Sequence, residues 1–278
     1  MRPLTIIEAG RGEQAYWRDV LAYRDLLWVL VWRDLSVRYK QAVVGVAWAL
    51  LQPLFTMLIL SFVFSRLARL PSPEGVPYVL LVLSGVLPWT LFSGGVSSLS
   101  GSLITNANLI TKIYFPRILV PFAAALTSLV EFCLAMGLLL LMLLWYGVWP
   151  DARVFALPLF LLLALGTMIG TGVAVSALNV AYRDFRYVVP FTLQIGLYLT
   201  PVGFTTSLVH EHLPAAWVWL YYLNPMAGAI EGFRWSLFGD PTEPYWTGIV
   251  ISTVVMMALL YGGIRFFRRT ERTFADII

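Results

Sequence analysis

Hydrophobic residues run through this chain in long uninterrupted stretches. Five of them hold no charged residue inside: residues 41–65, 78–99, 154–180, 187–209 and 244–264. A sixth, 118–146, holds one acid, Glu131. A membrane-crossing helix needs about 20 largely apolar residues, and every one of these stretches is long enough. Strands of a membrane barrel would be about 10 residues long, with a polar residue at every second position; no such run occurs. The pattern predicts an all-α polytopic membrane protein with six transmembrane helices. The bundle takes residues 42–264, with an N-terminal segment 1–41 and a tail 265–278. No internal repeat or linker divides residues 1–278, so a single domain is expected.

Two segments outside the spans have patterns of their own. Residues 18–41 read as an interfacial helix: at 100° per residue, Trp28, Trp32, Leu35 and Tyr39 make one apolar stripe. Leu26, Leu30 and Val37 make a second stripe nearly opposite, and Asp25, Arg33, Ser36 and Lys40 fill a flank between them. A helix lying on a bilayer needs one apolar face; two faces imply a wedge between the bundle and something else. Residues 205–243 are too polar to span, yet carry Trp217, Trp219, Tyr221, Tyr222, Phe233, Trp235 and Phe238. Asn224-Pro225 breaks them in the middle. They are expected to form short re-entrant helices at the outer interface between spans five and six, with part of the rings serving as an aromatic belt.

Composition agrees with the pattern. Of 278 residues, 59% are hydrophobic and only 12% charged, against about 25% charged in a soluble domain. The basic residues give the orientation. Fifteen lie on one side of a six-span arrangement: Arg2, Arg11, Arg18, Arg24, Arg33, Arg38 and Lys40 before the first span, Lys112 and Arg117 after the second, Arg183 and Arg186 after the fourth, and four in the tail. The other side has Arg66, Arg69, Arg153 and Arg234. The positive-inside rule makes both termini cytoplasmic. The first apolar run follows some 40 residues of polar sequence, so no cleavable signal is expected.

The missing chemistry narrows the function. There is no Gly-Lys pair and therefore no phosphate-cradling loop; a machine of this kind that uses ATP needs a partner to hydrolyse it. No paired Asp cluster is present to hold a metal-bound diphosphate. The one cysteine, Cys133, rules out a disulfide framework. The only histidines, His210 and His212, sit together in one outer segment, which disfavours a Ser-His-Asp arrangement. No metal site and no nucleic-acid partner are expected. Glu131 is the only ionisable residue deep in a span, and such a residue is a functional candidate by default. Its isolation favours a hydrogen-bonded interior residue over a transport site. Gly166, Gly170 and Gly172 allow close helix approach in the fourth span, while Pro53, Pro88 and Pro201 are candidate kinks.

One set of blocks points further. Residues Arg33-Asp34-Leu35-Ser36-Val37-Arg38-Tyr39-Lys40-Gln41 are followed by Gly45, Trp48 and Leu51-Gln52-Pro53-Leu54. Further along come Gly85-Val86-Leu87-Pro88-Trp89, then Asn106 to Lys112 with Tyr114-Phe115-Pro116-Arg117, then Asn179-Val180-Ala181-Tyr182-Arg183-Asp184. Leu223-Asn224-Pro225-Met226, with Arg234 downstream, completes the series. In this order and spacing, from about Leu21 to Phe267, the chain resembles the membrane subunits of ABC-2 type polysaccharide exporters, which carry O-antigen, capsule or teichoic acid. Thr200 departs from the pattern, since relatives often have Ser before that proline.

The resemblance implies a non-enzymatic, channel-forming subunit in the bacterial inner membrane, a homodimer working with two cytoplasmic ATPase subunits that hold ATP and Mg. The expected cargo is a lipid-linked polysaccharide, O-antigen first, surrounded by membrane lipids. Residues 102–117, with Asn106, Asn108, Lys112, Tyr114 and Arg117, are expected to couple to the ATPase, together with Arg33 and Asp34 of the N-terminal helix. Trp89, Phe92, Tyr198 and Phe204 are candidates to line the channel, because rings stack on apolar sugar faces. Arg38, Tyr39 and Lys40 would meet a lipid-diphosphate head group at the cytoplasmic mouth, unless the two basic residues make only ordinary headgroup contacts. Other readings are an ABC-2 exporter of a small lipid or drug, an ion-coupled carrier using Glu131, and a membrane enzyme of glycan assembly.

Overall fold

A computed structural model describes residues 13–40, 45–182, 184–239, 244–271 and 274. The described residues form helices and the connections between them, in the order α1 (Glu13–Ala22), α2 (Arg24–Lys40), α3 (Gly45–Ser61), α4 (Tyr78–Thr105), α5 (Ala107–Lys112), α6 (Leu119–Tyr146) and α7 (Leu157–Ala181). They continue with α8 (Phe185–Leu199), α9 (Thr206–His212), α10 (Val218–Tyr221), α11 (Pro225–Phe238) and α12 (Trp246–Thr270).

The long apolar stretches give five helices of spanning length and composition: Ala49–Leu67, Tyr78–Thr105, Leu119–Tyr146, Ala152–Ala181 and Trp246–Thr270. The first joins α3 to a π-helical turn, Phe62–Leu67. The other stretch, 187–209, does not form one continuous helix. Its α8 has 15 residues, about 22 Å of rise against a hydrocarbon core of about 30 Å. The chain then turns at Thr200–Thr205 before α9, and Pro201 lies in that turn rather than inside a helix.

α4 is the centre of the bundle. Of its most apolar window 72% is buried, against 22–39% in the other four spans, and it packs on α3, α6, α7, α8 and α11. The outer faces of α3, α6, α8 and α12 keep Phe55, Leu141, Phe191 and Tyr261 exposed, as helices in lipid or against another subunit do. α7 lies between α4 and α12. Its small residues make that possible: a Cβ on Gly170 would stand 2.6 Å from the Leu259–Leu260 backbone, and one on Gly263 would stand 2.1 Å from the Gly170 carbonyl oxygen. Gly172 is set instead against Leu99 of α4. Pro53 and Pro88 lie inside α3 and α4. Gly147, in the left-handed conformation (φ +68°), closes α6 by donating to Leu144 and Leu143.

The helix expected over 18–41 divides at Tyr23, where backbone bonding continues from Tyr23 N–H to Asp19 O at 3.0 Å. Its two predicted apolar stripes are each covered in part: Leu35 of the first packs against the core, and Val37 of the second is exposed. Leu30 and Val31 are buried, with Leu26 and Leu27 packed against the core, while Trp28 and Trp32 stand exposed. The segment expected as short outer helices gives α9, α10 and α11. Asn224 caps α11 by accepting from Met226 N–H at 3.1 Å, and Pro225 follows at its first turn. Nearly all of α11 is buried against α4, α7 and α12.

Candidate functional site

At the end of α4 that leads into α5, a polar joint is built from three elements. Asn106 is buried; its Nδ2 donates to Ser102 O at 2.8 Å, and its Oδ1 accepts from Arg33 Nη2 at 2.6 Å. The Arg33 guanidinium also grips Asp34 Oδ1 at 2.7 and 2.9 Å. These three predicted residues therefore meet, fixing α2 to the α4–α5 junction. α5 buries Ile110 and leaves Asn108, Thr111 and Lys112 exposed, with Ile113 and Tyr114 exposed immediately after it. The result is a knuckle with a mixed polar and apolar tip. Phe115 and Pro116 return to the core.

The far side of the knuckle is pinned by a residue the sequence reading left in the tail. Glu271 accepts from Arg117 N–H at 3.1 Å and from the Tyr16 hydroxyl at 2.9 Å. The Arg117 guanidinium also bonds the Glu271 carbonyl, and Arg268 stacks on the Tyr16 ring, 4.4 Å from its centroid. Burial raises the Glu271 carboxyl above the ordinary range, opposed by the Tyr16 hydroxyl and by Arg117. The only signal was an acid flanked by arginines in the tail.

Arg38 and Tyr39 both turn to Glu131 on α6: Arg38 forms an ion pair with it, and the Tyr39 hydroxyl donates to the same oxygen at 3.3 Å. Glu131 is twelve residues into α6, about 18 Å along its axis. It is thus neither isolated nor in the packed interior; it faces α2 on the flank of the bundle. Lys40 beside them is exposed. The predicted channel aromatics do not form one surface. Trp89 is buried, 5.4 Å from the half-buried Phe92, and packs against Gly196 of α8. Phe204 packs edge-on to Phe64 at 6.3 Å. Tyr198 stands apart, exposed on α8.

The opposite end is organised by Arg234 of α11, which is 3% exposed. Its guanidinium donates to Leu81 O at 3.0 and 3.2 Å, Val202 O at 2.7 Å and Phe204 O at 2.7 Å. Burial lowers it to about 10, which leaves it charged at neutral pH. One side chain therefore clamps the Thr200–Thr205 turn onto α4. Gly85 makes room, since a Cβ there would stand 2.5 Å from Val202 O and 2.6 Å from Arg234 Nη2. Tyr78 donates to Gly203 O at 2.6 Å and Asn224 Nδ2 to Thr200 Oγ1 at 2.8 Å. At the other end of α8, Asn179 Nδ2 donates to Ser100 O at 2.9 Å, tying the end of α7 to α4. Arg234 was legible only as one member of a series of blocks.

The ABC-2 type transporter family profile matches residues 25–238. The chain is 28% identical to the O-antigen export system permease protein RfbA of Myxococcus xanthus, covering 94% of this chain and 98% of that one. It is likewise 28% identical to an RfbA of Klebsiella pneumoniae, over 91% and 95% of the two chains. Against the polysialic acid transport protein KpsM of Escherichia coli the identity is 23%, over 86% and 91%. The match takes in the Arg33–Asn106 joint, the knuckle and the Arg234 clamp alike, and it places this multi-pass membrane chain in the ABC-2 type transporter family.

Proposed function

We propose that this chain is the channel-forming subunit of an ATP-driven exporter that moves a lipid-linked polysaccharide, O-antigen foremost, across the bacterial inner membrane. The cargo follows from relatives named for O-antigen export that align over nearly the whole chain. The ATP-coupled part rests on one observation: the exposed tip of α5 is anchored on both sides, through Asn106 to Arg33 and through Arg117 to Glu271. A short helix held this way transmits a push instead of yielding to it. Two cytoplasmic ATPase subunits, holding ATP and Mg, would seat on Asn108, Lys112 and Tyr114, and Arg33 and Asp34 would carry the motion into α2. ATP shifts the membrane subunit only so far as the ATPase binds its two states with different affinity.

The topology proposed is six spans with both termini cytoplasmic. α8 starts beside the end of α7 that is tied to Ser100, passes Trp89 at Gly196, and delivers its following turn to Leu81 and Gly85 near the opposite end of α4. Helix and turn together thus run along most of α4 and count as the fifth crossing. The exposed aromatic face of α8, with Tyr187, Phe191 and Tyr198, would look onto the channel of a homodimer. Lys40 is the cation of the N-terminal helix left to meet a lipid diphosphate. A deletion strain tests the cargo: surface O-antigen should disappear while lipid-linked polymer accumulates in the cytoplasmic leaflet, with restoration by the wild-type gene. Unchanged surface polysaccharide would refute the assignment.

A further inference from the structure

Glu231 lies one helical turn before Arg234 on α11 and is 4% exposed. Its Oε1 accepts from the Thr206 hydroxyl at 2.5 Å and from Tyr245 N–H at 3.3 Å. Its Oε2 has no hydrogen-bond partner among the described residues. Arg234, the nearest cation on its own helix, directs its donors to backbone carbonyls instead. The neighbouring helices α4 and α7 contain no charged residue, and the basic residues of α12 (Arg265, Arg268 and Arg269) are in its last turns, far from Tyr245. Among the described residues, the groups facing the carboxyl are therefore Thr206 and His210 from α9, Tyr221 at the end of α10 and Tyr222 just after it, and Tyr245 ahead of α12. A carboxylate with so few donors and no partner cation is strongly disfavoured in an apolar interior.

We propose that Glu231 is a proton-binding site, its carboxyl neutral in the closed fold, and that its ionisation releases α9 from α11. Tyr222 lies beside the carboxyl, and its hydroxyl shares a hydrogen with His210 Nε2 at 3.3 Å. His210 is only half-buried. This gives a path once Oε2 swings within reach of the Tyr222 oxygen, which it does not bond in the closed fold: the proton passes to that oxygen as Tyr222 gives its own proton to His210 Nε2, and His210 gives one to water. What remains is a buried carboxylate with Thr206 as its link to α9, a helix of seven residues. Opening α9 toward water is the local route by which that charge becomes hydrated. Burial, the largest influence on Glu231, raises its affinity for the proton. The placement of this site on the outer side rests on the six-span reading; the proton does not.

The test uses the purified full-length chain. Infrared spectra across a pH series should show a protonated-carboxyl C=O component that persists above the ordinary carboxylate range and is missing from Glu231→Gln, which keeps the acceptor for Thr206, while the Glu271 component remains in both and is identified by its loss in Glu271→Gln. A spectrum unchanged in Glu231→Gln, or a Glu231 component already lost within the ordinary range, would overturn the proposal. Hydrogen exchange of the wild type decides even where the variant does not fold. After correction for intrinsic base catalysis, protection of residues 206–212 should fall as pH rises, and constant protection would overturn the release. Neither readout involves an ATPase or a polymer, so failure here is separate from failure of the export reading.

Discussion

Two arginine and glutamate pairs, one on the flank beside α2 and one inside α11, are used in opposite ways. Arg38 and Glu131, on different helices, meet on the flank of the bundle with 46% and 27% of their side chains exposed. Arg234 and Glu231, on one helix, are fully enclosed and hold different partners: the arginine takes the turn after α8, the glutamate takes α9. A partly exposed pair joins two helices at modest free energy. A buried guanidinium with several carbonyls around it fixes a turn that has no regular structure of its own, because its planar fork can serve diverging acceptors at once. The α2–α6 flank is thus built for adjustment and the Arg234 end for rigid closure.

The largest expected effect breaks the Arg234 clamp. Arg234→Met removes this donor from Val202 O and Phe204 O, while Leu81 O keeps the Ser84 hydroxyl at 2.8 Å, and at about 1–3 kcal/mol for each orphaned group little folded protein should survive detergent extraction and size exclusion. Arg234→Lys should not rescue it, since an ammonium cannot reproduce the fork. Next comes Gly85→Ala, whose methyl meets Val202 O and Arg234 Nη2; a loss of about 1–3 kcal/mol should lower the melting temperature. Gly101→Ala on the same helix, with nothing within 4 Å, should leave it level or higher.

On the flank, a double-mutant cycle of Arg38→Met and Glu131→Gln should give a coupling of roughly 1 kcal/mol. A value of several kcal/mol would erase the contrast between the two pairs. The smallest effect is on pH. The Glu271 carboxyl is raised by burial, so the unfolded chain ionises first as pH rises. Stability is then lost from the ordinary carboxylate range up to the raised value, with no further loss above it. Melting temperatures across that window should fall less steeply in Glu271→Gln than in the wild type.

Much of this architecture is legible in the sequence. The stretch 118–146 becomes Leu119–Tyr146, and 154–180 becomes Leu157–Ala181, because a long apolar run in lipid has no alternative to helix. The joint of Arg33, Asp34 and Asn106 falls on residues already chosen as coupling candidates. The break after Leu199 has a local signal in Pro201, which holds Thr200 extended, but the clamp that fixes the turn is Arg234, some thirty residues away, acting on backbone carbonyls that no side-chain pattern displays. Glu131 read as isolated because its partner sits on a helix that hydropathy assigned to the interface. Trp89 read as a wall residue, yet packing against Gly196 buries it, and ring type alone does not give direction. Glu231 and Glu271 escaped for a common reason: each lies outside the long apolar runs where an acid attracts notice, and only tertiary packing shows that it is buried.

The central claim is that the anchored α5 knuckle seats an ATPase. Its most direct test is mild-detergent purification of the tagged chain from its native host, beside a variant with Asn108, Lys112 and Tyr114 all changed to Ala. The account predicts a stoichiometric ATPase subunit with the wild type and its loss from a variant that still elutes as folded protein. A wild-type chain that purifies across several detergents with no nucleotide-hydrolysing partner would contradict it, as would a variant that retains the partner in full.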